Sequence, residues 1–120
     1  MISFDKGGTW NKLKAPKYDV DGKLLNCAGD CALHLNGRTE ALNNPIYSSD
    51  TAHGLIVATG NTGMYLSNRP EEVNTYLSRD GGHNWYEILA GSHTYEIGDY
   101  GGLIVMINHS KTNRVLYSWD

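Results

Sequence analysis

Apolar residues in this chain fall in short runs separated by polar, glycine-rich stretches. Seven runs have strand length: Cys31–Asn36, Gly54–Gly60, Val73–Ser78, Trp85–Leu89, Thr94–Ile97, Leu103–Asn108 and Arg114–Trp119. Each is rich in β-branched or aromatic residues and is bounded by Gly, Asn, Asp or Ser, the punctuation of strands. Val73, Tyr76 and Leu77 also stand at helical spacing behind Pro70-Glu71-Glu72, a good helix start. That segment runs directly into a turn motif, which selects the strand. Gly60-Asn61-Thr62-Gly63 and Gly98-Asp99-Tyr100-Gly101-Gly102 read as hairpin turns. Asn11–Asp30 and Asn36–Ala52 are polar and contain two of the three prolines, so they read as surface loops.

A repeat organises these runs. Ser3-Phe4-Asp5-Lys6-Gly7-Gly8-Thr9-Trp10 returns as Ser78-Arg79-Asp80-Gly81-Gly82-His83-Asn84-Trp85, both S-x-D-x-G-x-[TN]-W, and a third copy starts at Ser118-Trp119-Asp120. A strand leads into each turn, and a strand beginning with Trp leads out. Two further strands precede the second copy, which gives a four-stranded antiparallel meander with the motif between its third and fourth strands. Asp80 to Asp120 is 40 residues, the size of one propeller blade; Asp5 to Asp80 is 75, one blade enlarged by the two loops. The expected fold is all-β, a partial β-propeller, and the broken third copy marks a piece of a longer protein.

The motif's chemistry is that of a turn. Asp5 and Asp80 carry short carboxylates that can accept backbone N–H groups two or three residues ahead. Gly7 and Gly82 can take positive φ without strain. Ser3 and Ser78 can bond back across the turn, and Trp10 and Trp85 can bury a ring between neighbouring sheets. Catalysis by either Asp is not expected, because a turn tip lacks a cleft partner.

Composition narrows the function. The chain is 40% hydrophobic and 19% charged, hence globular. A net charge of −3 and the lack of any long basic run argue against a nucleic-acid partner. The longest apolar stretch, Leu103–Ile107, is too short to cross a bilayer.

The boxes resemble the Asp-box repeat of β-propellers, shared by sialidases, other glycosidases and the Vps10 domains of sortilin-type sorting receptors. MISFDKGGTW, NCAGDCALHLNG, GLIVATGNTG, YLSRDGGHNW, YEIGDYGGLIVMI and VLYSWD follow one another as in that last family, along nearly the whole chain. The resemblance implies a ten-bladed propeller in the ectodomain of a type I membrane receptor of Golgi, endosomes and cell surface. Residues 1–15 would end one blade, 31–89 would form a complete blade, and 93–120 would begin the next. The implied partners are peptide and protein ligands, with no cofactor, metal or catalytic residue in this segment. The box residues Ser3, Asp5, Gly7, Thr9, Trp10, Ser78, Asp80, Gly82, Asn84, Trp85, Ser118 and Asp120 would be structural.

Two other features stand apart. Cys27 and Cys31, spaced C-x3-C, leave a disulfide, free thiols or a metal site open, although zinc wants four ligands. The family reading is a disulfide, closing a loop so small that its effect is local. The five histidines are scattered with no metal-binding spacing, and Asn108-His109-Ser110 is an N-glycosylation sequon at a predicted turn.

The alternative is an Asp-box glycoside hydrolase of sialidase type. Its chemistry wants an arginine triad for the substrate carboxylate, a Tyr nucleophile helped by Glu, and an acid Asp. The four arginines, Arg38, Arg69, Arg79 and Arg114, are dispersed, with Arg79 inside a box. Sequencing the gene on both sides of this segment tests the receptor reading. More boxes should lie upstream. Downstream, the third box should be completed as Asp120-x-Gly-x-[ST]-Trp, then followed by a Cys-rich module and one transmembrane helix.

Overall fold

A computed structural model describes residues 1–25, 31–35, 46–48, 53–67, 69, 72–91, 93–98, 102–108 and 115–119. All its regular elements are strands: β1 (Leu13–Lys14), β2 (Ala32–Leu35), β3 (Ile46–Ser48), β4 (Ile56–Gly63), β5 (Asn74–Ser78), β6 (Tyr86–Leu89), β7 (His93–Gly98), β8 (Leu103–Asn108) and β9 (Leu116–Trp119). They form two antiparallel sheets. The first has the order β1-β2-β4-β5-β6, with β3 also on β4; the second is β7-β8-β9.

In the first sheet β2 pairs with Gly60–Gly63 and β3 with Ile56–Ala58, so the two lie end to end along one side of β4. The sheet is thus a meander whose first rank is broken in two. β5 enters the second box at Ser78 and β6 leaves it after Trp85. Asn74–Ser78 of that run is therefore strand, as its approach to the turn required. β7 and β8 pair from His93↔Asn108 to Gly98↔Leu103, and Asp99–Gly101 lie outside the described residues.

Successive residues of a strand face opposite ways, and this sheet buries both faces. Ala58 and Tyr76, both fully buried, join Leu13, Leu33 and Trp85 on one face, where Ile2, Leu35 and Ile56 pack around them. Their chain neighbours Val57 and Leu77 point the other way and meet Ile104 and Met106 of the second sheet. The first core is covered by the N-terminal segment and the second by the following sheet. A sheet sandwiched in this way requires apolar residues at consecutive positions of β4 and β5, which is how those runs read.

Three sequence readings are corrected. Asn11–Asp30 is more than a loop: Leu13 is buried in β1, and Tyr18 bridges Leu24 in a small hairpin. There Asp19 accepts the N–H groups of Asp21 and Lys23 at 3.0 and 2.8 Å. Asn36–Ala52 contains β3, and its remaining residues lie outside the described set. Gly60–Gly63 is the end of β4 and not a hairpin turn, because β2 supplies ladder partners for all four residues. Asn61 is tolerated in the strand because its buried amide is satisfied, donating to the Tyr65 carbonyl at 2.8 Å and accepting the Ser67 N–H at 2.9 Å.

Gly60 is fixed by a close approach, since a Cβ there would lie 2.1 Å from the His34 carbonyl oxygen. Gly60→Ala forces β2 away from β4. It should destabilise the chain by about 2–4 kcal/mol, read from the shift in urea unfolding midpoint.

Candidate functional site

The two complete boxes are one structure built twice. In the first, the Gly7 N–H donates to Ser3 Oγ at 2.8 Å, and Ser3 Oγ donates to Asp5 Oδ1 at 2.8 Å. Thr9 closes the turn with two bonds, its N–H to Asp5 Oδ1 at 2.8 Å and its hydroxyl to Asp5 Oδ2 at 2.7 Å. The Trp10 indole N–H reaches the Gly7 carbonyl at 3.2 Å. In the second, Gly82 donates to Ser78 Oγ at 2.9 Å and Ser78 to Asp80 Oδ1 at 2.9 Å. Asn84 gives its N–H to Asp80 Oδ1 at 2.9 Å and its amide to Oδ2 at 2.7 Å. The Trp85 indole N–H meets the Gly82 carbonyl at 2.9 Å. Thr and Asn are interchangeable at the seventh position because each offers a short side-chain donor.

These bonds refine the expected turn. Each Asp reaches four residues ahead rather than two or three, and uses the side chain there as well as the backbone. Two consecutive residues carry positive φ: Lys6 and Gly7 at 57° and 92°, Gly81 and Gly82 at 70° and 96°. The fourth position therefore favours Gly too, and Lys6 occupies it against the usual steric preference. The shared donor at position seven and the indole N–H were visible in the aligned copies, but only the geometry assigns their acceptors.

The boxes differ in burial. Trp85 is 4% exposed in the first core, whereas Trp10 is 59% exposed. Trp10 thus departs from the expected burial between sheets. The Ile2–Asn11 bridge closes the base of the first turn, and the Trp10 ring stands largely in solvent beside it. The second box is tied further into its sheet by the Gly81 N–H donating to the Gly54 carbonyl at 2.9 Å.

Ser118 lies in β9 at the start of the third copy, and Asp120 lies outside the described residues. Asn108 ends β8 opposite His93. Cys31 is disulfide-bonded, and Cys27 lies outside the described residues. His34 is half-buried with Nε2 3.1 Å from the Gly63 carbonyl, a packed histidine.

Electrostatics agree with a structural role for both aspartates. Asp5 is held at about 2 against an ordinary 3.8, first by the Thr9 hydroxyl, then by the Thr9 N–H and Ser3. Asp80 is held at about 2 by the Asn84 N–H and amide, then by Ser78 and the nearby His83. Carboxylates this acidic, with both oxygens engaged, are poor proton donors at neutral pH. Burial instead pushes Glu87 up, and Asp19 and Asp21 push the same way. Glu87 faces Tyr76 across the ladder. The Tyr76 hydroxyl, also raised by burial, is enclosed near Asn74 and Thr62 without a well-formed hydrogen bond. Among the described residues, no three His, Cys, Asp or Glu side chains gather as a metal site.

Antiparallel blade-like sheets, with an Asp-box turn that occurs twice along the chain, define a β-propeller protein. Comparison with known sequences sharpens this. The family profile described as "Sortilin, neurotensin receptor 3" matches residues 1–120. The vacuolar protein sorting/targeting protein 10 of Trichophyton verrucosum is 42% identical over 128 residues, covering 100% of this chain and 8% of its own length. The sortilin-related receptor of Homo sapiens is 42% identical over 127 residues, covering 98% of this chain and 6% of its own. The vacuolar protein sorting/targeting protein PEP1 of Saccharomyces cerevisiae is 38% identical over 125 residues, covering 99% and 8%. The chain belongs to the sortilin–Vps10 family, and it spans less than a tenth of the length of these relatives.

Depressed carboxylates stabilise the fold above their unfolded value, and that contribution is lost as pH falls through the folded value. Stability should therefore decline between pH 3.8 and about 2 as Asp5 and Asp80 protonate. Asp80→Asn, whose amide nitrogen cannot accept from Asn84, should unfold at lower urea than the parent at pH 7. The two midpoints should approach each other near pH 2. A constant difference across that range would contradict the assignment.

Proposed function

We propose that this chain is a propeller segment of the lumenal or extracellular part of a membrane-anchored sorting receptor, with no catalytic role of its own. The observation that carries the reading is the family match along the entire chain, together with 38–42% identity to three Vps10 and sortilin-related proteins. In this reading residues 1–15 end one blade, 31–89 form a blade and 93–120 open the next. The boxes hold the scaffold, and peptide or protein cargo is bound by strands and loops of the assembled propeller. The receptor cycles between Golgi, endosomes and the cell surface.

Two covalent features belong to the same proposal: a Cys27–Cys31 disulfide and an N-linked glycan at Asn108. An oxidising lumen supports the first, and a strand end leading into a connection supports the second. The hydrolase alternative is not favoured, since the carboxylates of both complete boxes are consumed by their own turns.

The full-length protein's soluble ectodomain provides the test. It should bind a neuropeptide or propeptide saturably and leave a fluorogenic sialoside uncleaved. Turnover of the sialoside without peptide binding would reverse the reading.

A further inference from the structure

Phe4 of the first box and His83 of the second lie face to face, with ring centroids 3.7 Å apart and planes within 6° of parallel. Beside them, Ile2 presses on the same turn, since a Cβ on Gly82 would lie 2.7 Å from Ile2 Cδ1. These contacts join two boxes whose aspartates are 75 residues apart. None of them takes part in closing either turn. Numbered from the serine, position two of one box stacks on position six of the next, and the residue before the serine covers the glycine at position five.

We propose that the boxes also fasten one blade to the next, with position two as the projecting arm and position six as the surface that receives it. The second box turns the corresponding two positions toward the second sheet. Leu77, the residue before its serine, packs with Ile104 and Met106 of that sheet, as Ile2 packs against the first. Arg79, at position two, lines the cleft of about 350 Å³ between the sheets together with Tyr117 and Ser118. Ser118 is position one of the third copy. Phe4 and Arg79 each stand at the bend where the chain enters its turn, two residues past Ile2 and Leu77.

The position-two side chains are Phe4, Arg79 and Trp119, each ending in a flat π system. A guanidinium stacks on a planar partner as an aromatic ring does. Arg79 therefore fits a flat side chain at position six of the third box. This makes positions two and six of the motif an interaction surface and leaves the turn to its serine, its aspartate, the glycine at position five and the donor at position seven.

Phe4 is half exposed and His83 is exposed, so changing them leaves the cores intact. Phe4→Leu, His83→Leu and the double variant of the full chain form a double-mutant cycle. Each single variant should lower the urea midpoint, the double should fall little below the lower single, and Phe4→Trp should restore the parent value. Additive losses would overturn the proposal. Ring currents give an independent reading. The His83 ring protons should be shielded by Phe4 and move downfield in Phe4→Leu; unchanged resonances would also overturn it.

Discussion

The grip of one aspartate on its own turn is the interaction on which the rest depends. Each carboxylate accepts three bonds, from the serine two residues back and from the backbone and side chain four residues ahead. An ionised acceptor makes these bonds shorter and stronger than neutral ones. The result is a rigid reversal with two left-handed residues at its tip. In the second box this reversal fixes where β5 ends and β6 begins, and hence the pairing of the sheet's outer strands. The indole N–H of Trp85, bonded to the Gly82 carbonyl, then aims its ring into the core. One turn thus sets backbone reversal, register and core packing together.

From that turn inward, the sheet is held by what lies on both of its faces. Val57 and Ala58, or Tyr76 and Leu77, serve different cores although they are adjacent in sequence. A blade of this kind has no solvated face, so its stability resides in contacts with its neighbours as much as in its own ladder. The N-terminal segment provides that cover on one side. It does so with Ile2 and Leu13 in the core, and with Phe4 against His83 at the rim. Loss of the box geometry would therefore be felt across the blade junction as well as within the turn.

The carboxylates look like catalytic candidates by residue type and are disqualified by their bonding. A group held at about 2, with three bonds already accepted, carries no proton at neutral pH and is too weak a base for acid–base work. The geometry makes both complete boxes framework.

The sequence by itself determined seven of the nine described strands, the two complete box turns and the all-β class, because those rest on local rules. Alternating and consecutive apolar positions, glycine at left-handed sites and a short carboxylate at a reversal all act within a few residues. The repeated motif even located the reversals within the meander. Long-range partners decided the rest. Gly60–Gly63 has the composition of a turn, yet β2 lies alongside and makes it strand. Leu13 and β3 sit in stretches too polar to announce a strand, and they became ordered by pairing with β2 and β4. Trp10 and Trp85 occupy the same motif position, but one ring is open and the other enclosed, because only the second has a sheet and an N-terminal segment packed around it. The Phe4–His83 contact joins residues 79 positions apart. No local rule reaches that far, so only the tertiary structure could bring the two boxes together.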